Sequence, residues 1–304
     1  MKKSILHCTV ISPMFSYGNQ KVELRPSELK GLMRYIYRIA NHQSRTELLY
    51  EAEGKRFGDA EKYASPVRMQ MKMLDEKQVR QSLMLHKEAP DRNPRMLNFS
   101  AGTTFEIIIR TLSGTDIEGI THECYKDHVI LSLVLGGLGK RTRRGRGCVT
   151  IAELNKNNQQ LLFWVTEQLN TINEKNSSGG TPPYKNEKGE IVVAADLTKL
   201  QRPIIEKIKL GKEIKDIHVF LQSVDQASHN IKRYPPQCVQ NRKYATGFAF
   251  GGRFASSVIV SVTQTSDGIF PIYTYVKAIY NGVALDSAYE ERNEFIDLVE
   301  EGAH

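Results

Sequence analysis

GGLGKRTRRGRGCV, residues Gly136 to Val149, is the stretch on which the fold turns. Between Gly137 and Gly147 it holds four glycines and five cations, Lys140, Arg141, Arg143, Arg144 and Arg146, with one leucine and one threonine among them. Ile120 to Gly137 reads as a helix stopped by Gly136 and Gly137, and CVTIAEL reads as the strand that follows. The loop is not a nucleotide-binding turn. A P-loop needs Ser or Thr after its lysine, but Arg141 follows Lys140, and Val134 stands where its first glycine belongs. The dinucleotide fingerprint fails at Thr142, three places after Gly139. A basic targeting tag would not be threaded with glycines between a helix and a strand. What remains is a segment whose glycines, Gly137 and Gly139 foremost, let main-chain N–H groups approach an anion while the five cations supply donors for phosphate oxygens. Such a segment tracks a nucleic-acid backbone without reading bases.

Working outward, Ile5 to Ile11 is a β-branched strand, and SELKGLMRYIYRIAN is a two-faced helix starting near Arg25-Pro26-Ser27. Val67, Met69, Met71 and Met73 alternate with polar residues as in a half-buried strand, and Thr103 to Leu112 is another. The first 155 or so residues therefore run β-α-β-β-α-β, the ferredoxin-like (RRM-like) arrangement of the α+β class. The boundary falls at 155/156. Residues 156–304 hold a helix with the single tryptophan, Trp164, packed inward, a polar excursion near 173–190 and a hairpin in GGRFASSVIVSVTQTSDGIFPIYTYV, and they close on an acidic helix. Phe57 to Met71 and Phe250 to Val262 share Phe-Gly, then Ala-Ser, then an alternating strand. This echo suggests that the second domain repeats the first.

The chain has 304 residues, with 42 Lys plus Arg against 34 Asp plus Glu, a formal charge of +8, which favours a polyanionic partner. Cys8, Cys124, Cys148 and Cys238 are too scattered for a zinc ribbon or a disulfide framework and read as free thiols. The start, MKKSILHCTVISP, is too interrupted for a signal peptide, and no apolar run spans a membrane, so the expected location is cytoplasmic.

Two surfaces are candidates for RNA. Lys30, Arg34, Tyr37 and Arg38 share the polar face of the first helix with no acidic residue on that face. Tyr37 is the candidate for base stacking, worth about 1–3 kcal/mol where a base lies on it. The second surface is the loop itself. Neutralising about five phosphates gives a single-strand salt slope of about −3.5. Catalysis and metals find less support. His122, Cys124 and His128 project from different sides of their helix and cannot share a metal. His42 lacks a recognisable acid–base partner.

These residues resemble the RAMP superfamily, the RNA-binding subunits of CRISPR systems. Its glycine-rich loop is matched by Gly136, Gly137, Gly139, Arg143, Arg144, Gly145 and Gly147. ELRPSELKGLMRYIYRI (Glu23 to Ile39) and Phe57-Gly58 with Ala64 to Val67 are similar to the first subunit of the type III-B (Cmr) effector complex, although Tyr35 and Tyr37 stand where members often carry tryptophan. The resemblance covers most of the first 150 residues and, beyond them, only GGRFASS. It implies two ferredoxin-like domains, neighbouring RAMP subunits, single-stranded crRNA or target RNA as ligand, and no cofactor, metal or cutting activity. A crRNA-processing endoribonuclease, which would need His42 or His128, and a purely structural adaptor are the other readings.

Overall fold

The computed structural model describes residues 2–87, 95–111, 120–174, 182–232, 245–248, 254–285 and 288–303. Cys238 and Phe250 to Arg253 of the second echo lie outside the described residues.

The first domain comprises β1 (Lys2–Val10), the two-residue strands β2 (Tyr17–Gly18) and β3 (Lys21–Val22), α1 (Pro26–Ala40), α2 (Thr46–Phe57), β4 (Val67–Asp75), β5 (Gln78–Ser82), β6 (Arg95–Phe99), β7 (Thr104–Thr111), α3 (His122–Leu135) and β8 (Val149–Ile151). Its four-stranded sheet runs β4-β7-β1-β8, every pair antiparallel, which is the ferredoxin-like order. Strict alternation along β7 sends Phe105, Ile107 and Ile109 into the core opposite Leu6 and Cys8 of β1. The methionines of β4 pack on that core as their period requires. In α1, Leu29, Met33, Ile36, Ile39 and Ala40 are buried, the face expected from the sequence. The small hairpins β2-β3 and β5-β6 are additions to the ferredoxin plan.

The second domain comprises α4 (Asn158–Asn173), β9 (Tyr184–Glu187), β10 (Glu190–Val193), β11 (Ile205–Leu210), α5 (Ile217–Lys232), β12 (Val258–Thr265), β13 (Gly268–Val276), the short pair β14 (Ile279–Tyr280) and β15 (Val283–Ala284), and α6 (Ala288–Gly302). Its sheet runs β12-β13-β11-β10-β9, all antiparallel. Taking β11-α5-β12-β13-α6 as the ferredoxin run, the place of its fourth strand is held by β10, which comes before the first. The domain is thus a permuted ferredoxin-like fold. β4 and β12 occupy equivalent edges of their sheets, so the two echoing segments lead into the same strand of the plan.

Part of the expected excursion over 173–190 is ordered. Lys188 and Gly189, with φ of 50° and 80°, make the two-residue turn joining β9 to β10, the conformation that a two-residue hairpin prefers. The polarity of NEKGE concealed a hairpin whose strands are short.

The domains share one interior. Leu161, Leu162, Val165 and Leu169 of α4 lie in the same core cluster as the first domain, together with Ile205, Ile208, Ile259 and Ile272 of the second sheet. Val258, Val260, Val262, Tyr273 and Tyr275, on that sheet's opposite face, pack with Phe220 and Val224 of α5 and Phe295 and Val299 of α6. The second sheet is covered on both faces, which is why VIVSV is buried at every position. Wedged between the two sheets, α3 is buried nearly all round, as its uninterrupted VILSLVL demands. The Ser261 hydroxyl donates to the Val134 carbonyl at 2.8 Å across this seam.

Candidate nucleic-acid interface

The glycine loop begins where α3 ends and turns back on itself. Leu138 N–H donates to Gly147 O at 2.9 Å, Gly147 N–H to Pro13 O at 3.0 Å, and Lys140 N–H to Phe15 O at 3.1 Å. Gly139 has φ +94°, and a Cβ there would stand 2.6 Å from the Phe15 carbonyl; at Gly137 it would stand 2.3 Å from Arg146 O. The expectation that Gly137 and Gly139 admit an anion is corrected: they admit the chain's own backbone.

The arginines are likewise occupied. Arg146, 1% exposed, places a guanidinium nitrogen 2.7 Å from Asp225 Oδ2, and Arg141 reaches Asp225 Oδ1 at 2.6 Å. Asp225 sits on α5, is fully buried, and also accepts the Leu85 N–H at 2.7 Å. Arg144 donates to Thr246 O at 2.7 Å and Ser256 Oγ at 3.0 Å, and lies 5.1 Å from the centre of the Phe295 ring. Arg143 donates to Ser256 O at 2.7 Å and stacks over Tyr35 of α1 at 4.7 Å. Gly145 N–H bonds to Val260 O, and Val260 N–H to Arg143 O, so the loop also caps the edge of β12. The sequence suggested a loop held out toward phosphates. In the fold Arg141, Arg143, Arg144 and Arg146 fasten the two domains together, because the carbonyls and carboxylate of the second domain offer them the partners that an isolated loop would lack.

The α1 face is also paired, by a residue that is remote in sequence. Arg34 donates to Glu53 Oε1 at 2.7 Å and to the Gly58 carbonyl, and Arg38 Nε lies 3.6 Å from Glu53 Oε2. Glu53 comes from α2 and is buried. Lys30 donates to Ser65 Oγ at 2.8 Å within the ASPV segment, and burial followed by the nearby Arg34 charge holds its pKa below the usual lysine value. Tyr37 is buried edge-on to Phe57 at 5.7 Å with the Arg56 guanidinium over its ring, so its face is not presented to a base. Of the eleven residues proposed from sequence, the cations that keep some surface toward solvent are Lys30, Arg34, Arg38, Lys140, Arg141 and Arg143, of which Arg34, Arg38 and Arg141 already hold a carboxylate partner. Lys140 is exposed at the loop tip, 4.9 Å above the Tyr17 ring. Asp225, Glu53 and Tyr17 were missed. Asp225 left a signal, being the lone carboxylate of α5 beside the apolar Phe220, Leu221 and Val224.

Of the histidines weighed for catalysis or metal binding, His122 and His128 are buried and His42 is half-buried. His128 bonds through Nε2 to Met33 O at 2.9 Å, and burial, then the Arg56 charge, pull its pKa down to about 3. His42 packs edge-on to Tyr184 at 5.0 Å, with its pKa lowered to about 4 by burial and by Arg202. His122 lies between Ser4 and Thr111, its pKa also lowered, by burial first. Unfolded histidine takes up its proton near pH 6.5. The stabilisation from keeping His128 neutral is therefore complete above that pH and is lost as pH falls toward 3, by about 1.4 kcal/mol per unit. Urea titrations at pH 7 and pH 5 should show His128→Gln losing about 2 kcal/mol less than wild type between the two conditions. Among the described residues no group of acidic, histidine and cysteine side chains is arranged to hold a metal. Cys8, Cys124 and Cys148 are free thiols. No described helix is long and apolar enough to cross a membrane.

No protein-family model matches the chain, and no curated protein matches it in sequence. Solved structures do. Cmr1 from Pyrococcus furiosus, in its apo form, aligns with a TM-score of 0.55 at 16% identity over 96% of both chains. A chain of the type III-B Cmr-β bound to cognate target RNA and AMPPnP, in the presence of ssDNA, aligns at 0.59 and 12% identity over 99% of both. A chain of Cmr-β bound to cognate target RNA aligns at 0.57 and 12% over 97% of this chain and 99% of that one. Through both domains, this chain has the fold of Cmr1 and of the matched chains of type III-B Cmr-β.

Proposed function

We propose that this chain is the Cmr1-type subunit of a cytoplasmic type III-B CRISPR effector complex, where it binds single-stranded RNA, crRNA or target, through backbone phosphates and cuts nothing. The observation that carries the reading is the alignment with Cmr chains across both ferredoxin-like domains, almost end to end. The RAMP loop and the KGLMR helix support it, and Lys30, Arg38 and Lys140 supply the cations. The low pKa values of His42 and His128 support a non-catalytic role, since a general base near neutral pH needs a pKa near the working pH.

The test is a titration of labelled single-stranded RNA with purified protein in EDTA at 50–200 mM salt, with the endpoints run on a denaturing gel. Binding should be salt-sensitive and the RNA intact. Changing Lys30, Arg38 and Lys140 to alanine should flatten the salt slope by about 2, the contribution of three phosphates on a single strand. Cleaved RNA would sink the non-catalytic assignment. Absence of RNA affinity would make the chain an architectural subunit, a role that the buried Arg144 and Arg146 already serve within the chain.

A further inference from the structure

We infer that the cleft between the β2-β3 turn and the β5-β6 hairpin is a separate subsite for the phosphodiester backbone of a single-stranded nucleic acid. The cleft has a volume of about 510 Å³, within the roughly 300–1,000 Å³ usual for ligand sites. Lys21, Arg80 and Arg95 line it, Val22 and Leu97 give it an apolar patch, and no carboxylate is among its lining residues. Among the described residues none of these three cations has a carboxylate partner, in contrast to Arg34, Arg38, Arg141 and Arg146.

The arrangement is built, not a scatter of surface charge. Arg80 pairs with Leu97 and Ser82 with Arg95, which puts Arg80 and Arg95 diagonally on one face of the hairpin, a spacing of roughly 7–8 Å between residues that long side chains still reach across. Like charges so placed repel across a ladder, and a bound polyanion relieves that repulsion. Tyr17 forms a wall held from both sides: its phenol donates to the Leu97 carbonyl, and the Tyr17 carbonyl accepts from Arg25 at 2.9 Å. Tyr17 and Arg80 both line the cleft. Of the acids nearby, Glu28 accepts from Ser16, Glu23 lies against Gly18 and Glu76 accepts from the lining Gln78.

Lys140 links the cleft to the glycine loop, its ammonium lying over the Tyr17 ring. The cations therefore continue from the loop tip across Tyr17 to the hairpin, more positive charge than one isolated phosphate group would need. An extended phosphodiester chain fits that run, with bases or sugars over Val22 and Leu97. Both hairpins are additions to the ferredoxin plan, so the fold's own packing does not explain why they carry this charge. The inference rests on the RNA-binding reading only for the nature of the polyanion, because it does not depend on Lys30 or Arg38 and its test leaves Lys140 in place.

Anisotropy titrations of the full chain with a labelled 20-nucleotide oligo(U), and with the DNA counterpart, test it. Changing Lys21, Arg80 and Arg95 together to alanine should reduce the salt slope by about 2 and weaken binding roughly tenfold or more at 100 mM salt. Arg80→Lys with Arg95→Lys should retain both slope and affinity, since a phosphate contact needs the charge. Equal effects on RNA and DNA identify pure backbone contact, and a larger effect on RNA adds the 2′-hydroxyl; either supports the subsite. If the triple variant binds like wild type while the Lys30, Arg38 and Lys140 variant does not, the cleft is excluded and the proposed function stands. A loss that the lysine pair reproduces would mean altered folding and would overturn the inference. So would polyglutamate binding that the triple variant abolishes while leaving RNA binding intact, since the cleft would then serve an acidic protein. Wild-type protein without salt-sensitive affinity would overturn both readings.

Discussion

Asp225→Ala is expected to destabilise the protein by about 3–5 kcal/mol, the cost of removing one partner from a buried ion pair. Asp225 has no exposed surface and is held by Arg146, itself 1% exposed, at 2.7 Å, by Arg141 at 2.6 Å and by the Leu85 N–H at 2.7 Å. Its removal leaves a buried guanidinium facing three other arginines of the same loop without the carboxylate that offsets them. The cost should fall on the seam between domains, because the donors come from the glycine loop and the acceptor from α5. Urea unfolding followed by Trp164 fluorescence and by far-UV circular dichroism checks this, and the two transitions should separate in the variant if the seam opens first. Replacing Asp225 and Arg146 together with apolar residues of similar volume should recover much of the loss, since what is costly is the unpaired charge. A single-variant cost under 1 kcal/mol would mean that water reaches the site and the pair fastens nothing.

The second large effect is expected at Gly147. Its φ is +70°, and an added Cβ would lie 1.9 Å from the Leu138 carbonyl oxygen. That neighbour is backbone on the facing arm of the loop, where Leu138 N–H already bonds to Gly147 O, so it cannot yield without opening the neck. Gly147→Ala should cost about 3 kcal/mol or more, combining the left-handed backbone penalty with displacement of the loop. Gly189 provides the comparison: φ is +80°, but no atom lies within 4 Å of the added Cβ. Gly189→Ala should cost only about 1 kcal/mol. Thermal unfolding of the two variants side by side separates conformation from crowding, and equal losses would show that the neck tolerates displacement.

The first domain was legible because its signals are local. Alternation in β4 and β7, the amphipathic α1 and the stop at Gly136-Gly137 each report one element, and the βαββαβ order fixes the sheet. The second domain was harder for a physical reason. Its β12-β13 hairpin could be read from the sequence, but the strand that completes the ferredoxin plan, β10, precedes the first strand of that plan and follows a polar stretch. The charged residues misled in the same way. Arg34, Arg144 and Arg146 look solvent-facing on their own segments, and Glu53, Asp225 and Ser256, which pair with them, stand 19 to 112 residues away. A sequence displays the charge on a helix or loop but not the partner that tertiary packing brings to it. Lys140, at the tip of its loop, is the member of the basic stretch whose exposure local reading anticipated.

The permuted second domain also sets a timetable. In the first domain β1 must wait for β8: Cys8 pairs with Ile151, which a ribosome adds more than a hundred residues later. In the second, β9, β10 and β11 leave as a consecutive meander, so the inner strand β11 emerges with that flank already available and only its β13 side open. Short-range pairing of this kind forms quickly, whereas distant closure is slow. The first sheet thus keeps β1 exposed along one side until the glycine loop has been made, and the segment that later fastens the domains is also the one whose synthesis lets the first sheet close.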